Sequence, residues 1–461
     1  MLASSVYWNR AIAKSTSTEQ NFTENATYTF WKHGSIYYSK NSKTEVTTSS
    51  SNAAALINNA LIANDGIFFI YDNNFTISAP LILDSNDYLI GSGKATILFL
   101  APNTDTPVIY SNSKNITVSD LSINGNKAGQ NGGTGVSGIR FSNARHFTIN
   151  NVYIQNTYHQ GLDIVASSHN GSIKNIETYR TGAAGIYIGY HSYNITVDKA
   201  VLLESGYGFG GSGIDEDGLI IAGEYTSYCT NIKLNNIYAI NASRHGISFW
   251  DCEQITGNNL YAINNTMHGI YFVRGNHYFD LKNAQANYNG KIGIAIYAGN
   301  QLFNDDESNH HLTIQGYSIG NGEEGIKLGG FLPNHNYPYP YEIDLSVNAL
   351  NNTYTGIGLA GYNLTNRIEH VRIHDCKVAY NSQNGTGIFN GILLYQTKHC
   401  QVYNVEIKGT NHAWGIYESV DTGGYNTITN VNVLEGNTGG IKLNDATSKT
   451  VCSYNLTSWI S

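Results

Sequence analysis

The chain has 461 residues, a net charge of −8 and only 13% charged residues, roughly half the usual share. The acidic balance argues against a nucleic-acid surface, and no apolar run approaches the ~20 residues that a membrane-spanning helix needs. Gly 48 against Pro 6 fits a turn-dense all-β chain, and five cysteines without C-x-x-C spacing predict neither a zinc site nor a disulfide framework.

Residues 1–47 are polar and aromatic without a clear period and read as an N-terminal extension. The first 30 residues carry no apolar h-region, so no secretory signal is expected. Next comes Asn52-Ala-Ala-Ala-Leu-Ile-Asn-Asn-Ala-Leu-Ile-Ala, with apolar residues at helical spacing after Ser-Ser-Ser. This predicts a serine-capped helix that covers the open end of a repeat array. IFFIYD from Ile67 and FTISAPLIL from Phe75 read as strands.

From Gly138 onward a short motif, Gly-Ile/Leu-x-apolar, repeats. It reads GIRF at Gly138, GLDI at Gly161, GIYI at Gly185, GLII at Gly218, GISF at Gly246 and GIYF at Gly269. Further copies start at Gly293, Gly325, Gly356, Gly391, Gly415 and Gly440. Six of the eleven intervals are 23 to 25 residues, which is the spacing of a solenoid coil. Each interval also holds an alternating segment with Asn or Asp at its middle, such as HFTINNVYIQN at His146 and NIKLNNIYAIN at Asn231. Period-two alternation is the strand signal, and Asn and Gly supply the bends. Residues 48–461 are therefore expected to form one all-β domain. The expected fold is a single-stranded parallel β-helix of twelve or more coils with an N-terminal capping helix.

Stacked coils lie about 4.8 Å apart, so equivalent positions form files. The residue before each ladder glycine reads Gln160, Ala184, Asp217, His245, His268, Ile292, Glu324. One position earlier the file reads His159, Ala183, Glu216, Arg244, Met267, Lys291, Glu323. An Asp beside a His raises the His pKa and fixes its tautomer, as in a general acid–base pair. Asp215 and Asp217 are two apart on a strand, so their carboxylates stand roughly 6–7 Å apart on one face. That separation suits an inverting glycosidase. The same cluster could hold Ca²⁺, or be a solvated acidic turn. The file faces outward if the ladder glycine makes a bend; without a bend, His245 and His268 become satisfied core histidines. His159, Arg274 and Lys327 are weaker candidates. Insertions at 205–214, 300–311 and 331–341 interrupt the repeat. The last carries Tyr337, Tyr339 and Tyr341, whose rings could line sugar subsites.

At these motifs the chain resembles the right-handed parallel β-helix proteins of the pectate-lyase-like superfamily, over roughly residues 48 to 455. The resemblance implies polysaccharide hydrolase, lyase or epimerase chemistry, or the binding role of tailspikes and adhesins. Among the polygalacturonase-like hydrolases, Glu216-Asp217 looks like the D-D step and Arg244-His245-Gly246 like the His-Gly step. The family's N-T-D Asp falls at Ala184, and its R-I-K coil falls at Tyr271-Phe272-Val273. Two functions stand as expectations. One is a polysaccharide-degrading enzyme with Asp215 and Asp217 as acid and base, His245 and His268 supporting them, and Glu216, Arg244 and the three tyrosines binding substrate. The other is a non-catalytic surface or virion-spike protein, for which the resemblance implies a homotrimer. Either way the expected location is extracellular or on a cell or virion surface.

Overall fold

The computed structural model describes residues 24–133, 135–207, 216–224, 227–297, 308–329, 339–361, 367–385, 387–409, 411–419, 424–434, 439–443 and 450–455. Two sheets of stacked strands, parallel throughout the repeats, run along the chain. The first contains fourteen short strands, from Leu81–Leu83 to Ile441–Leu443. The residue after each ladder glycine stands opposite its counterpart. Ile139 pairs with Leu162, Leu162 with Ile186, Ile186 with Leu219, Leu219 with Ile247 and Ile247 with Ile270. Twenty-odd residues of sequence thus become one step in space.

Alternation along each short strand separates lumen from exterior. In Ile247–Trp250, Ile247 and Phe249 are fully buried in the main core, and Ser248 and Trp250 point the other way. The ladder glycines themselves make no left-handed bend, since none has a positive φ. Glycine is required there by close approach. A Cβ on Gly246 would lie 2.7 Å from the carbonyl oxygen of Gly269, and one on Gly269 would lie 2.6 Å from that of Gly293.

The second sheet is built on long strands such as Arg145–Gln155, His169–Tyr179, Cys229–Ile240, Cys252–Ile263 and His277–Asn287. Each turns a corner at its middle on a left-handed asparagine: Asn151 (φ 55°), Asn175 (51°), Asn236 (55°), Asn259 (58°) and Asn283 (50°). Asparagine tolerates that conformation. Stacking adds a second reason, because Asn259 Nδ2 donates to Asn236 Oδ1 (2.9 Å) and Asn283 Nδ2 donates to Asn259 Oδ1 (2.7 Å). A buried ladder runs nearby through Asn265, Asn289, Asn321, Asn352 and Asn381. Each Nδ2 donates to the next Oδ1 at 2.8–3.0 Å.

The helix Ala53–Ala63 buries Ala53, Ala54, Leu56, Ile57, Ala60 and Leu61 in the same core as the coils. Its N-cap is Asn52 rather than the serine run; the Asn52 side chain accepts from the Ala55 amide at 3.0 Å. Ahead of it, Tyr28–His33, Ile36–Asn41 and Thr47–Ser50 form an antiparallel meander. Its first strand joins the long-strand sheet by pairing with Gly66–Ile70.

Candidate functional site

Backbone bonds put the residues before the ladder glycines in one file. Gly185 N–H donates to Asp217 O (3.3 Å), Gly218 N–H to His245 O (3.0 Å) and Gly246 N–H to His268 O (3.0 Å). Asp217 is fully buried. Its Oδ1 accepts from the His245 amide at 3.0 Å, and its Oδ2 accepts from the Ser248 hydroxyl at 2.5 Å. Ser248 is an exterior position of its strand, so the carboxylate turns to the outer face of the short-strand sheet without any glycine bend. His245 and His268 stack on that same face. Their rings lie 4.9 Å apart at 3°, and both lean on Tyr271 at 4.4 and 5.1 Å. Tyr271 lies between the lumen residues Ile270 and Phe272 and therefore also faces outward.

The histidines are buried, at 1% and 4% exposure. Nδ1 of His245 accepts from the His268 amide (3.2 Å), and Nδ1 of His268 accepts from the Ile292 amide (3.3 Å). A neutral ring that accepts at Nδ1 carries its proton on Nε2. Both rings are held neutral. Burial, followed by the charges of Lys291, Lys327 and Arg244, pulls His268 down to about 3. Burial, then His268, Arg244 and Lys291, pulls His245 well below the usual value. This reverses the expectation that Asp217 raises a histidine pKa. The carboxylate binds the backbone of His245 and not its ring, so desolvation and neighbouring cations prevail. Burial likewise raises the Tyr271 and Tyr297 hydroxyls.

Glu216 is 8% exposed. Its Oε2 accepts from Ser243 Oγ at 3.1 Å, and its buried Oε1 has no hydrogen-bond partner among the described residues. Burial lowers the Lys127 pKa, and Glu216 acts against that shift, so the two side chains sense one another. Lys327 pairs with Glu324 at 3.0 Å. Arg274 is not available for ligand chemistry of this kind. It lies buried against Asp251, with Nε 3.0 and 3.2 Å from the two carboxylate oxygens.

The remaining predicted residues separate. Asp215 and Tyr337 lie outside the described residues, as do most of the insertions at 205–214, 300–311 and 331–341. Tyr339 is 7% exposed and belongs to the main core, so it lines no surface subsite in this conformation. Tyr341 opens a long strand and stacks on His310 at 4.9 Å and 22°. It belongs to the long-strand sheet, whereas Asp217 lies at the short-strand sheet. Ala184 packs with Val165, Tyr187 and Ile220 in an apolar patch on the outer face, where an additional carboxylate would be unpaired. The expected calcium site depends on Asp215, and both oxygens of Asp217 are already engaged. Among the described residues no three His, Cys, Asp or Glu side chains converge on a metal position. Sequence reading missed Ser248, Tyr297 and the Arg140–Asp163 pair (3.3 Å) on the same face. The signal for Ser248, Arg140 and Asp163 was the second position after a ladder glycine, and for Tyr297 the fourth after Gly293, both of which alternation turns outward.

No protein-family model and no curated protein matches this chain. Solved structures do. The pre-mature bacteriophage phi29 gene product 12 superposes with a TM-score of 0.55 at 15% identity, covering 88% of this chain and 56% of that one. The periplasmic alginate epimerase AlgG gives 0.52 at 11% identity, covering 72% of this chain and 78% of that one. The catalytic unit of a thermostable GH87 alpha-1,3-glucanase from Streptomyces thermodiastaticus strain HF3-3 gives 0.50 at 15% identity, covering 88% and 68%. What they share with this chain is the parallel β-helix fold.

Proposed function

We propose that this protein binds a polysaccharide along the outer face of its short-strand sheet and degrades it as a hydrolase or lyase. One observation carries the reading. Asp217, His245 and His268 stand in register on that face, with the charges of Arg244 and Lys291 close enough to act on both rings. Titratable groups gathered at one place on a scaffold mark a candidate reaction centre. In this reading Asp217 is the fixed carboxylate, oriented by Ser248 and the His245 amide. Glu216, whose Oε1 is unsatisfied, engages a substrate hydroxyl. His245 and His268 present neutral Nε2–H donors, and Asp215 supplies the second carboxylate. The glucanase and epimerase among the similar structures support a carbohydrate ligand by analogy of fold. The location consistent with this role is extracellular or on a cell or virion surface.

The test is a panel of acidic and neutral polysaccharides incubated with the protein and with Asp217→Asn, with assay of reducing ends and unsaturated products. Turnover by the wild type that falls at least ~100-fold in the variant supports the reading. No product from any polymer refutes it.

A second reading is favoured by the burial of the file: a carboxylate and two histidines closed off by backbone partners also describe a purely structural stack. The protein would then be a glycan-binding spike or adhesin. Retention on a polysaccharide without turnover, together with a trimer by light scattering, would support that alternative.

A further inference from the structure

Beyond the last corner of the long strands, two positions per coil face outward. One file runs Val201, Tyr238, Tyr261, Gln285, Tyr317, Asn348. The other, two residues on, runs Leu203, Ile240, Ile263, Asn287, Ile319, Leu350. The residues between them, such as Ala239, Ala262 and Ala286, are fully buried, while eleven of the outward ones are half-buried and Tyr317 is 41% exposed. None of these twelve side chains is charged. Ion pairs stand at both ends instead, Lys94–Glu177 before the stripe, Arg180–Glu204 beside its first strand and Lys377–Glu406 after it.

Amide ladders border the stripe. On one side is Asn236–Asn259–Asn283, and on the other Asn264 Nδ2 donates to Asn241 Oδ1 at 2.7 Å. A ladder amide spends one donor and one acceptor on its neighbours and keeps further hydrogen-bonding capacity for a ligand. The surface is thus uncharged and largely apolar along its middle, interrupted by the amides of Gln285, Asn287 and Asn348, and hydrogen-bonding along its edges. A sugar ring presents the matching pattern, an apolar face with hydrogen-bonding groups at its rim.

The dimensions select the occupant. Six strands about 4.8 Å apart span five spacings, roughly 24 Å, and positions i and i+2 are about 7 Å apart. The area between the files is ~170 Å², about a fifth of the ~800 Å² per partner that a stable protein interface buries. A second copy of this chain would find too little surface, whereas a single extended polymer strand fits the shape. We infer that this stripe is a docking site for one extended strand of an uncharged polysaccharide, separate from the face that carries Asp217. It does not depend on that face being catalytic.

The test uses insoluble cellulose, mannan, xylan and α-glucan in pull-down assays at low and high salt, with wild type and with Ile240→Lys/Ile263→Lys. Strand circular dichroism and thermal unfolding confirm that the variant is folded, and Tyr261→Ala serves as a milder second variant. Retention of the wild type on at least one polymer is expected, unaffected by salt and by Asp217→Asn. Retention should fall about tenfold or more in the lysine variant and less in Tyr261→Ala. No retention on any of these polymers overturns the inference, as does equal retention of the folded variants. A wild-type dimer or trimer that becomes monomeric on the lysine substitutions also overturns it, by assigning the stripe to a second copy. Since the readout is retention and not turnover, failure here leaves the proposed reaction standing, and failure of the reaction leaves this site standing.

Discussion

His268 stays neutral because it lies out of water among cations, and its Nδ1 is committed to an amide. The unfolded chain protonates a histidine near the usual 6.5, whereas the folded ring resists until about 3. Its contribution to stability is therefore fully present above 6.5 and is lost as pH falls toward 3, at ~1.4 kcal/mol per pH unit. His268→Gln should flatten the fall of unfolding free energy between those pH values. An unchanged slope relative to wild type would mean that the ring is not held neutral. Asp217 sits at the head of the same file. Asp217→Ala leaves the His245 amide and Ser248 hydroxyl buried without their acceptor, at about 1–3 kcal/mol each. Asp217→Asn keeps one carbonyl oxygen for the amide and should cost much less. Denaturant unfolding of the two variants measures the difference, and equal losses would contradict the hydrogen-bond assignment.

At the scale of the element, the coil is set by what fits between neighbours. A methyl group on Gly246 would meet Ala262 Cβ at 2.6 Å, Asn265 Nδ2 at 2.7 Å and Gly269 O at 2.7 Å. Gly358, at an outward position of the same sheet, has nothing nearer than 3.9 Å. Gly246→Ala should destabilise by about 3 kcal/mol and Gly358→Ala by no more than about 0.5 kcal/mol. Thermal unfolding of both separates crowding from a general intolerance of side chains in the ladder. The motif was visible in the sequence at every repeat, but its cause was not. Glycine suggests a bend, and only the adjacent coil's carbonyl reveals a steric requirement. The serine run stood as the expected helix cap, and in the fold Asn52 takes that role instead.

At the scale of the whole molecule, each coil touches only its neighbours, so the fold should tolerate the loss of one. Deleting residues 246–268 removes 23 residues and joins His245 to Gly269. Leu219–Ala222 would then pair with Ile270–Phe272, and Cys229–Ile240 with His277–Asn287. The deleted protein should remain strand-rich by circular dichroism and elute as a single species. Aggregation would show that the coils are not interchangeable units. Any activity that needs the Asp217 file should be lost, because His268 is gone and Ser248 no longer holds the carboxylate.

The sequence by itself determined the solenoid, its register and the asparagine corners. Each coil repeats the same local problem, so periodicity alone carries the answer. It also located the coils where ionisable side chains collect, because the ladder glycines number equivalent positions. Only the tertiary structure decided which way that file faces and in what charge state. Asp217 turns outward through Ser248, a residue 31 positions away in the chain. His245 and His268 are neutral through burial and through cations, of which Arg244 adjoins His245 while Lys291 and Lys327 lie on later coils. Tyr339 and Tyr341, two residues apart in sequence, end in the core and on a histidine stack. Desolvation and cross-coil charge depend on neighbours distant in sequence, and a local motif does not encode them.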